Sequence, residues 1–442
     1  MFALARSLAA PPVPSLAPDT MPADLISRRR RLAAALPLGD ALLVVGAGTP
    51  LPLPENSDQT YPFFSHAEYA YLTDDDCIDG VIAYDPRDGE WLAFVPVVTE
   101  GERIWEGTTQ RSGLPLADFS AWLAARHGRS VANLGALRSD IPVDSALNTR
   151  VREHFRHARR PKDQTELAVL RAAAAATAAG YAALPAFLRP GVTERALQIE
   201  LEAAFFRGGG TRTGYHSIVG TGPNSAILHF SPTARVAQPG DFVLIDAGAA
   251  IGRYTADVTR TYIAGAPTQF QRDLYQVVLT AEERAITRCV PGTEWTDIHL
   301  ACAVDLVAGL VAMGILRGQP ESLVEQEAHT LFFPHGIGHM LGLGVRDASG
   351  LLPGRAKNPR PCLRTLRMDL PLAPGYVVTI EPGLYFIPPL LQDPARREKY
   401  RDAVNWPLVD QHLHLGGVRI EDNIHVTAGA PENLTAAIPK TL

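Results

Sequence analysis

The sequence predicts an α+β protein in two parts. A smaller α/β domain is expected over residues 22–158, and a larger domain over 159–442 in which helices flank one curved antiparallel sheet. Three observations carry this. Strand-like and helical runs alternate before residue 158, long capped helices open after Pro161, and beyond Glu327 the chain turns to short apolar runs and Gly-rich turns.

The elements follow in order. Residues 1–21 are rich in Ala and Pro, and Arg6 interrupts their only apolar stretch, so a disordered leader is expected there rather than a secretion signal. Arg28 to Leu36 reads as a basic helix. Residues 41–45, 80–84 and 91–98 read as strands between polar turns, and 116–125 as an amphipathic helix. No nucleophile motif, phosphate loop or ligand cluster occurs in this part, so substrate access and oligomerisation are its expected roles. The basic run 151–162 (VREHFRHARRPK) reads as a solvated linker helix.

In the second part, Gln164 to Ala183 is Ala-rich with strong helix propensity. Thr193 is placed to cap a helix whose Leu197, Leu201, Ala204 and Phe205 form an apolar stripe. Thr268 with Gln271 makes a capping box for a third helix, and Thr296 opens a fourth. Strands are expected around 215–220, 226–230, 242–250 and 255–263.

Composition narrows the function. Against 47 acidic residues there are 41 basic ones, a net charge of −6, which argues against general binding of nucleic acid or anionic membranes. The four cysteines are scattered and read as free thiols, so a cytoplasmic location is expected. No apolar run is read as reaching the roughly 18 residues of a membrane span.

The chemistry begins in FVLIDAGAAIGRYTADVTRTY (242–262). Two strand-like runs carry Asp246 and Asp257, and two carboxylates side by side in a buried hairpin repel each other unless a cation lies between them. Three further residues complete a set: His339 in PHGIGHMLGLG, Glu381 in VVTIEPGLYF and Glu421 in GGVRIEDNIHV. Four carboxylates and one imidazole suit a pair of hard or borderline divalent ions, Mn²⁺ first, with Co²⁺ or Zn²⁺ as alternatives. Two such ions about 3.5–4 Å apart share a bridging hydroxide and polarise a carbonyl. That is hydrolytic machinery.

In this order and these frames, the five residues resemble the dinuclear metallopeptidases of the pita-bread fold, over roughly residues 160–442. The segment FFSHAEYAYLTDD (63–75) is similar, more weakly, to the N-terminal domain of the Xaa-Pro branch, prolidase and aminopeptidase P. The resemblance implies that Asp246 and Asp257 hold one metal, His339 the other, and Glu381 and Glu421 both. It makes Glu381 the general base as well, and gives catalytic roles to His229 and to His335, the latter as a proton shuttle. It places Tyr215, Arg346, Arg364 and Arg419 around the substrate pocket, with Tyr215 lining the metal site, Arg364 as the clamp for a free carboxylate, and Arg419, on the strand face of Glu421, hydrogen-bonding the metal carboxylates. A homodimer is implied too.

One departure stands out. The family writes VHD seven residues beyond the metal-binding histidine, and this chain writes VRD, with Arg346 in place of the histidine. A guanidinium donates hydrogen bonds but does not pass a proton near neutral pH.

The long segment between Glu381 and Glu421 is similar to that of prolidases, so hydrolysis of Xaa-Pro dipeptides is the expected activity. The alternatives are an Xaa-Pro aminopeptidase acting on longer peptides, and a non-catalytic peptide-binding module of the same fold. A proline-containing peptide is the expected partner, with neither nucleic acid nor membrane.

Overall fold

A computed structural model describes residues 23–55, 59–137, 141–142 and 144–442. The expected leader lies outside them. The described chain divides between Arg159 and Arg160 into two units, each with its own core.

In the first unit one mixed sheet takes the order Leu114–Pro115, Glu90–Val95, Val81–Asp85, Leu42–Ala47, Val131–Ala136. Its middle strands are wholly buried, and Val44, Val81, Ala83 and Phe94 pack with Phe119 on one face. Asp85, at a strand end, takes a forked pair of bonds from Arg129 at 2.7 and 2.8 Å and one from Arg126 at 2.6 Å. Those bonds, Arg129 first, hold its carboxyl well below the ordinary range.

The basic run at 151–162 is not solvated as expected. Its first part belongs to the helix Ser145–Arg159, which buries Leu147, Val151 and Phe155. In the second unit, Lys162 is buried in an ion pair with Asp347 at 2.9 Å, and Arg160 donates to the Ala348 carbonyl at 3.1 Å. The spacing of Val151 and Phe155 supplied the helical stripe that the charges concealed.

The second unit opens with the helices Gln164–Ala183 and Glu194–Arg207, capped by Asp163 and Thr193. They cross closely at Gly180, where a Cβ would lie 2.3 Å from the Phe205 ring. The helices Gln269–Thr287, with its Thr268/Gln271 capping box, and Trp295–Ala312 form a second layer. Contrary to the sequence reading, Gln164–Ala186 and Trp295–Ala312 are long and apolar enough to span a membrane, with mean hydropathy 1.5 and 1.4. Both are packed instead, Leu167 and Leu170 in the first and Ile298, Leu306 and Leu310 in the second being buried. Small alanines make a helix apolar without making it bulky, which suits close helix packing.

Between these layers run the antiparallel strands. Phe242–Ala247 pairs with Ile218–Thr221 on one side and with Val258–Ile263 on the other, with Asp246 opposite Thr259. Val377–Ile380 pairs with Asp422–His425, and Gly383–Tyr385 with Gly417–Arg419. An isolated bridge from Thr259 to Glu421 joins the pieces. The expected strand at 226–230 is absent; a 3₁₀ turn, Gly222–Ala226, precedes an irregular stretch there. The long segment between Glu381 and Glu421 carries three short helices, Pro388–Leu391, Pro394–Lys399 and Trp406–Gln411.

Candidate metal centre

Strand alternation aims the candidate ligands. Val243 and Ile245 pack on the helix pair that opens the second unit, so Asp246 faces the other way. Val258 joins the same core, which turns Asp257, Thr259 and Thr261 to the opposite side. Val378 and Ile380 pack in the larger core, as do Val418 and Ile420. Thr379, Glu381, Arg419 and Glu421 therefore share the face that this core leaves free.

Two glycines let the backbones close in. At Gly248, between the aspartates, a Cβ would lie 1.9 Å from the Ala256 carbonyl oxygen. At Gly338, with φ +155°, it would lie 2.0 Å from the Thr379 carbonyl oxygen. Only glycine permits the second approach, which brings His339 beside the strand of Glu381.

The result is a cavity of about 600 Å³ walled by Asp246, Asp257, His339, Glu381 and Glu421, all five expected ligands. Asp257, His339 and Glu421 form a tight buried trio whose ligand atoms lie within 4.8 Å of one another. This trio mixes residues that the resemblance divides between two ions. The Tyr215 hydroxyl lies 2.6 Å from Asp246 Oδ1 and 2.5 Å from Asp257 Oδ1, bridging the two aspartates. Asn423 clamps the Asp257 backbone, accepting from its N–H at 3.0 Å and donating to its carbonyl. Thr259 Oγ1 donates to Glu421 at 2.8 Å and accepts from Arg419 Nε at 3.0 Å.

The donor set fits divalent cations. Burial, with the charges of Asp257, Glu381 and Asp246, raises the Glu421 carboxyl well above its ordinary range. Burial raises Asp246 as well, against the pull of its ion pair with Arg419. Glu381, half-buried, is pushed up to about 7, chiefly by desolvation and further by Asp257 and Asp246, against His339 and Arg419. Such crowding is relieved by a cation. Burial alone would lower the His339 pKa, but the bond and charge of Asp257 raise it instead. His339 Nδ1 sits 3.0 Å from the Met340 carbonyl, which only accepts, so Nδ1 carries the hydrogen and Nε2 faces Asp257 at 3.3 Å. That is the orientation of a ligand imidazole.

The remaining candidates divide. His229 and Arg346 line the cavity and are exposed, with open side chains. Arg419 is buried against Asp246 and Tyr385, so it positions an aspartate rather than reaching for substrate. His335 lines the cavity, but both ring nitrogens are engaged. Nδ1 donates to the Gly336 carbonyl at 2.8 Å, so Nε2 accepts from the Tyr385 hydroxyl at 2.9 Å. Arg419 in turn donates to that hydroxyl at 2.9 Å. Burial and Arg419 push the His335 pKa down to about 3. His335 is thus a ring on the cavity wall held in a chain of hydrogen bonds through Tyr385 to Arg419. Arg364 lies apart from these residues. It is exposed and off the cavity wall, whereas Thr365 and Arg367 are on it. The turn Pro361–Leu363 sets this register, and nothing periodic in the loop announced it.

Sequence reasoning missed Tyr385, Thr259, Thr379, Asn423 and the exposed, cavity-lining His216. Tyr385 had a usable signal, because 381, 383 and 385 alternate onto one strand face.

Residues 168–428 match metallopeptidase family M24. The chain is 32% identical to a probable Xaa-Pro aminopeptidase of Talaromyces marneffei, the match covering 88% of each. It is 31% identical to a probable Xaa-Pro aminopeptidase of Aspergillus niger, again over 88% of each. Among solved structures it is similar to Pseudomonas aeruginosa aminopeptidase PepP, with a TM-score of 0.76, 27% identity and 95% of each chain covered. Zinc-substituted Escherichia coli aminopeptidase P in complex with product gives the same TM-score and identity, over 94% of this chain and 95% of that one.

Proposed function

The chain belongs to metallopeptidase family M24, and from that premise we propose that it is an Xaa-Pro aminopeptidase, releasing the N-terminal residue from peptides whose second residue is proline. The observation that carries this is the match to probable Xaa-Pro aminopeptidases across both parts of the chain, not the catalytic part alone. It replaces the dipeptidase expectation, which rested on the length of the segment between the glutamates and on Arg364. Of these two, Arg364 is off the cavity wall.

The five ligands would hold two divalent ions, for which we propose manganese. Bound there, such ions supply Lewis acidity toward the scissile carbonyl and an activated water. The chain's own groups do the rest. Glu381, on the cavity wall among the ligand set, takes the proton of the attacking water. His229, exposed on the wall and without a hydrogen-bond partner among the described residues, donates to the substrate's reacting atoms. Arg346 donates as well, but as a fixed cation it carries no proton across. Tyr215 and Arg419 hold Asp246 and Asp257 in place. The acidic floor attracts the free ammonium of a peptide's first residue.

A cytoplasmic location belongs to the same proposal, supported by four buried cysteines that are all free. A homodimer rests on the resemblance.

The test sets a dipeptide Xaa-Pro beside a tripeptide Xaa-Pro-Yaa, with manganese-loaded protein. Preference for the tripeptide, yielding free Xaa and Pro-Yaa, is the expected result. Preference for the dipeptide would return the assignment to a prolidase, and turnover of neither would leave a peptide-binding module.

A further inference from the structure

A second cavity of about 600 Å³ adjoins the first. Pro334, His335 and Thr365 belong to both walls, so the two volumes share part of their lining. The far wall of the second cavity comes from the segment between Glu381 and Glu421: Leu390, Asp393, Arg396, Lys399 and Tyr400.

Two acids, Glu327 and Asp393, and two cations, Arg396 and Lys399, line it. Asp393 accepts from the Arg396 backbone N–H at 2.8 Å, capping its helix. Glu327 accepts from the Cys362 N–H at 3.2 Å and lies 3.8 Å from Arg360. Both acids are therefore engaged. Among the described residues the Arg396 guanidinium has no hydrogen bond or ion pair, and the exposed Lys399 ammonium only lies over the Tyr400 ring at 4.6 Å. Arg396 and Lys399 are thus the lining cations without an ion-pair partner among the described residues.

His299 belongs to the lining as well. His299 is 1% exposed, and neither ring nitrogen has a hydrogen-bond partner. His329, which is not in the lining, stands 6.4 Å from it, ring to ring, likewise with no hydrogen-bond partner among the described residues. Burial lowers both, to about 3 and about 4, so each ring is neutral, with one donor and one acceptor unused. Buried polar groups of this kind call for a partner, and a peptide group or the water it carries offers both complements.

We propose that this second cavity receives the residues downstream of proline in a longer peptide, with Arg396 and Lys399 drawing in its C-terminal carboxylate. The orientation follows from charge: the ammonium end is favoured at the four-carboxylate floor and the carboxylate end is repelled from it. This inference rests on the aminopeptidase reading and adds a substrate class to it: peptides with a free C-terminus several residues beyond the proline.

The experiment uses the full chain and proline-second peptides of about three to seven residues, each step adding about 3.3–3.6 Å of reach. Each peptide is made as the free acid and as the C-terminal amide, and both kcat/KM and Kd are measured. At the length that reaches the cavity the acid is expected to win by about fivefold, the scale of a partly exposed charge-assisted pair. In the double variant Arg396→Gln, Lys399→Gln the acid-to-amide ratio falls to about one. A ratio that is the same in wild type and variant at every length overturns the proposal. The Kd series keeps the two readings apart. If no peptide is hydrolysed, the aminopeptidase reading fails, while the acid-to-amide ratio in binding still decides the role of this cavity.

Discussion

Glu381→Gln is expected to lower kcat for Xaa-Pro-Yaa by about 10³-fold, within the 10²–10⁴ range for loss of a general base. Glutamine preserves the volume and one ligand oxygen but takes no proton from the attacking water. The five ligands arrive from separate strands and loops, each backed by its own packing: Val378 and Ile380 behind Glu381, Val418 and Ile420 behind Glu421. Substitution of one should therefore leave the others in position. The expected signature is a collapse in kcat with KM nearly unchanged and with metal still bound on elemental analysis. Activity within tenfold of wild type, in a variant that retains its metal, would remove Glu381 from the role given to it.

Removing the metal is expected to abolish hydrolysis and, separately, to invert the pH dependence of stability. In the metal-free protein Glu421 is raised well above its ordinary range and Glu381 stands at about 7. Unfolded carboxyls ionise near pH 4. A carboxyl with a raised folded pKa contributes stability that is fully present below its unfolded pKa and is lost as pH rises through the folded value. The stripped protein should thus lose thermal stability from about pH 4.5 to pH 8, over the window set by Glu381. Metal binding removes that loss, because the ligands bind as anions, and adds about 2.7 kcal/mol at a hundredfold excess over Kd. Melting curves with and without chelator across this range check it. Parallel pH profiles in the two states would show that the carboxylates are not the cation site.

The five ligands were legible because charged residues in buried-strand patterns are costly without a partner, and the period of two showed which face each one takes. The fold class followed from the same patterns together with the helix caps at Thr193 and Thr268, and it stands. What the sequence concealed lay where no period operates. The loop leading to Met368 offers Arg364 and Arg367 three residues apart, and only the turn Pro361–Leu363 decides which meets the cavity. The bond of His335 to Tyr385 was not legible because the two are fifty residues apart. The run 151–162 looked solvated because its charges outnumber Val151 and Phe155, the residues that dock the helix. Partners distant in sequence are what one sequence hides.

The most direct measurement is a manganese titration of metal-stripped protein while following release of free Xaa from Xaa-Pro-Yaa. The account predicts no release without metal, and activity that climbs to a plateau as two ions fill the site built by Asp246, Asp257, His339, Glu381 and Glu421. Full activity in the stripped protein, or no release with two ions bound, would contradict it.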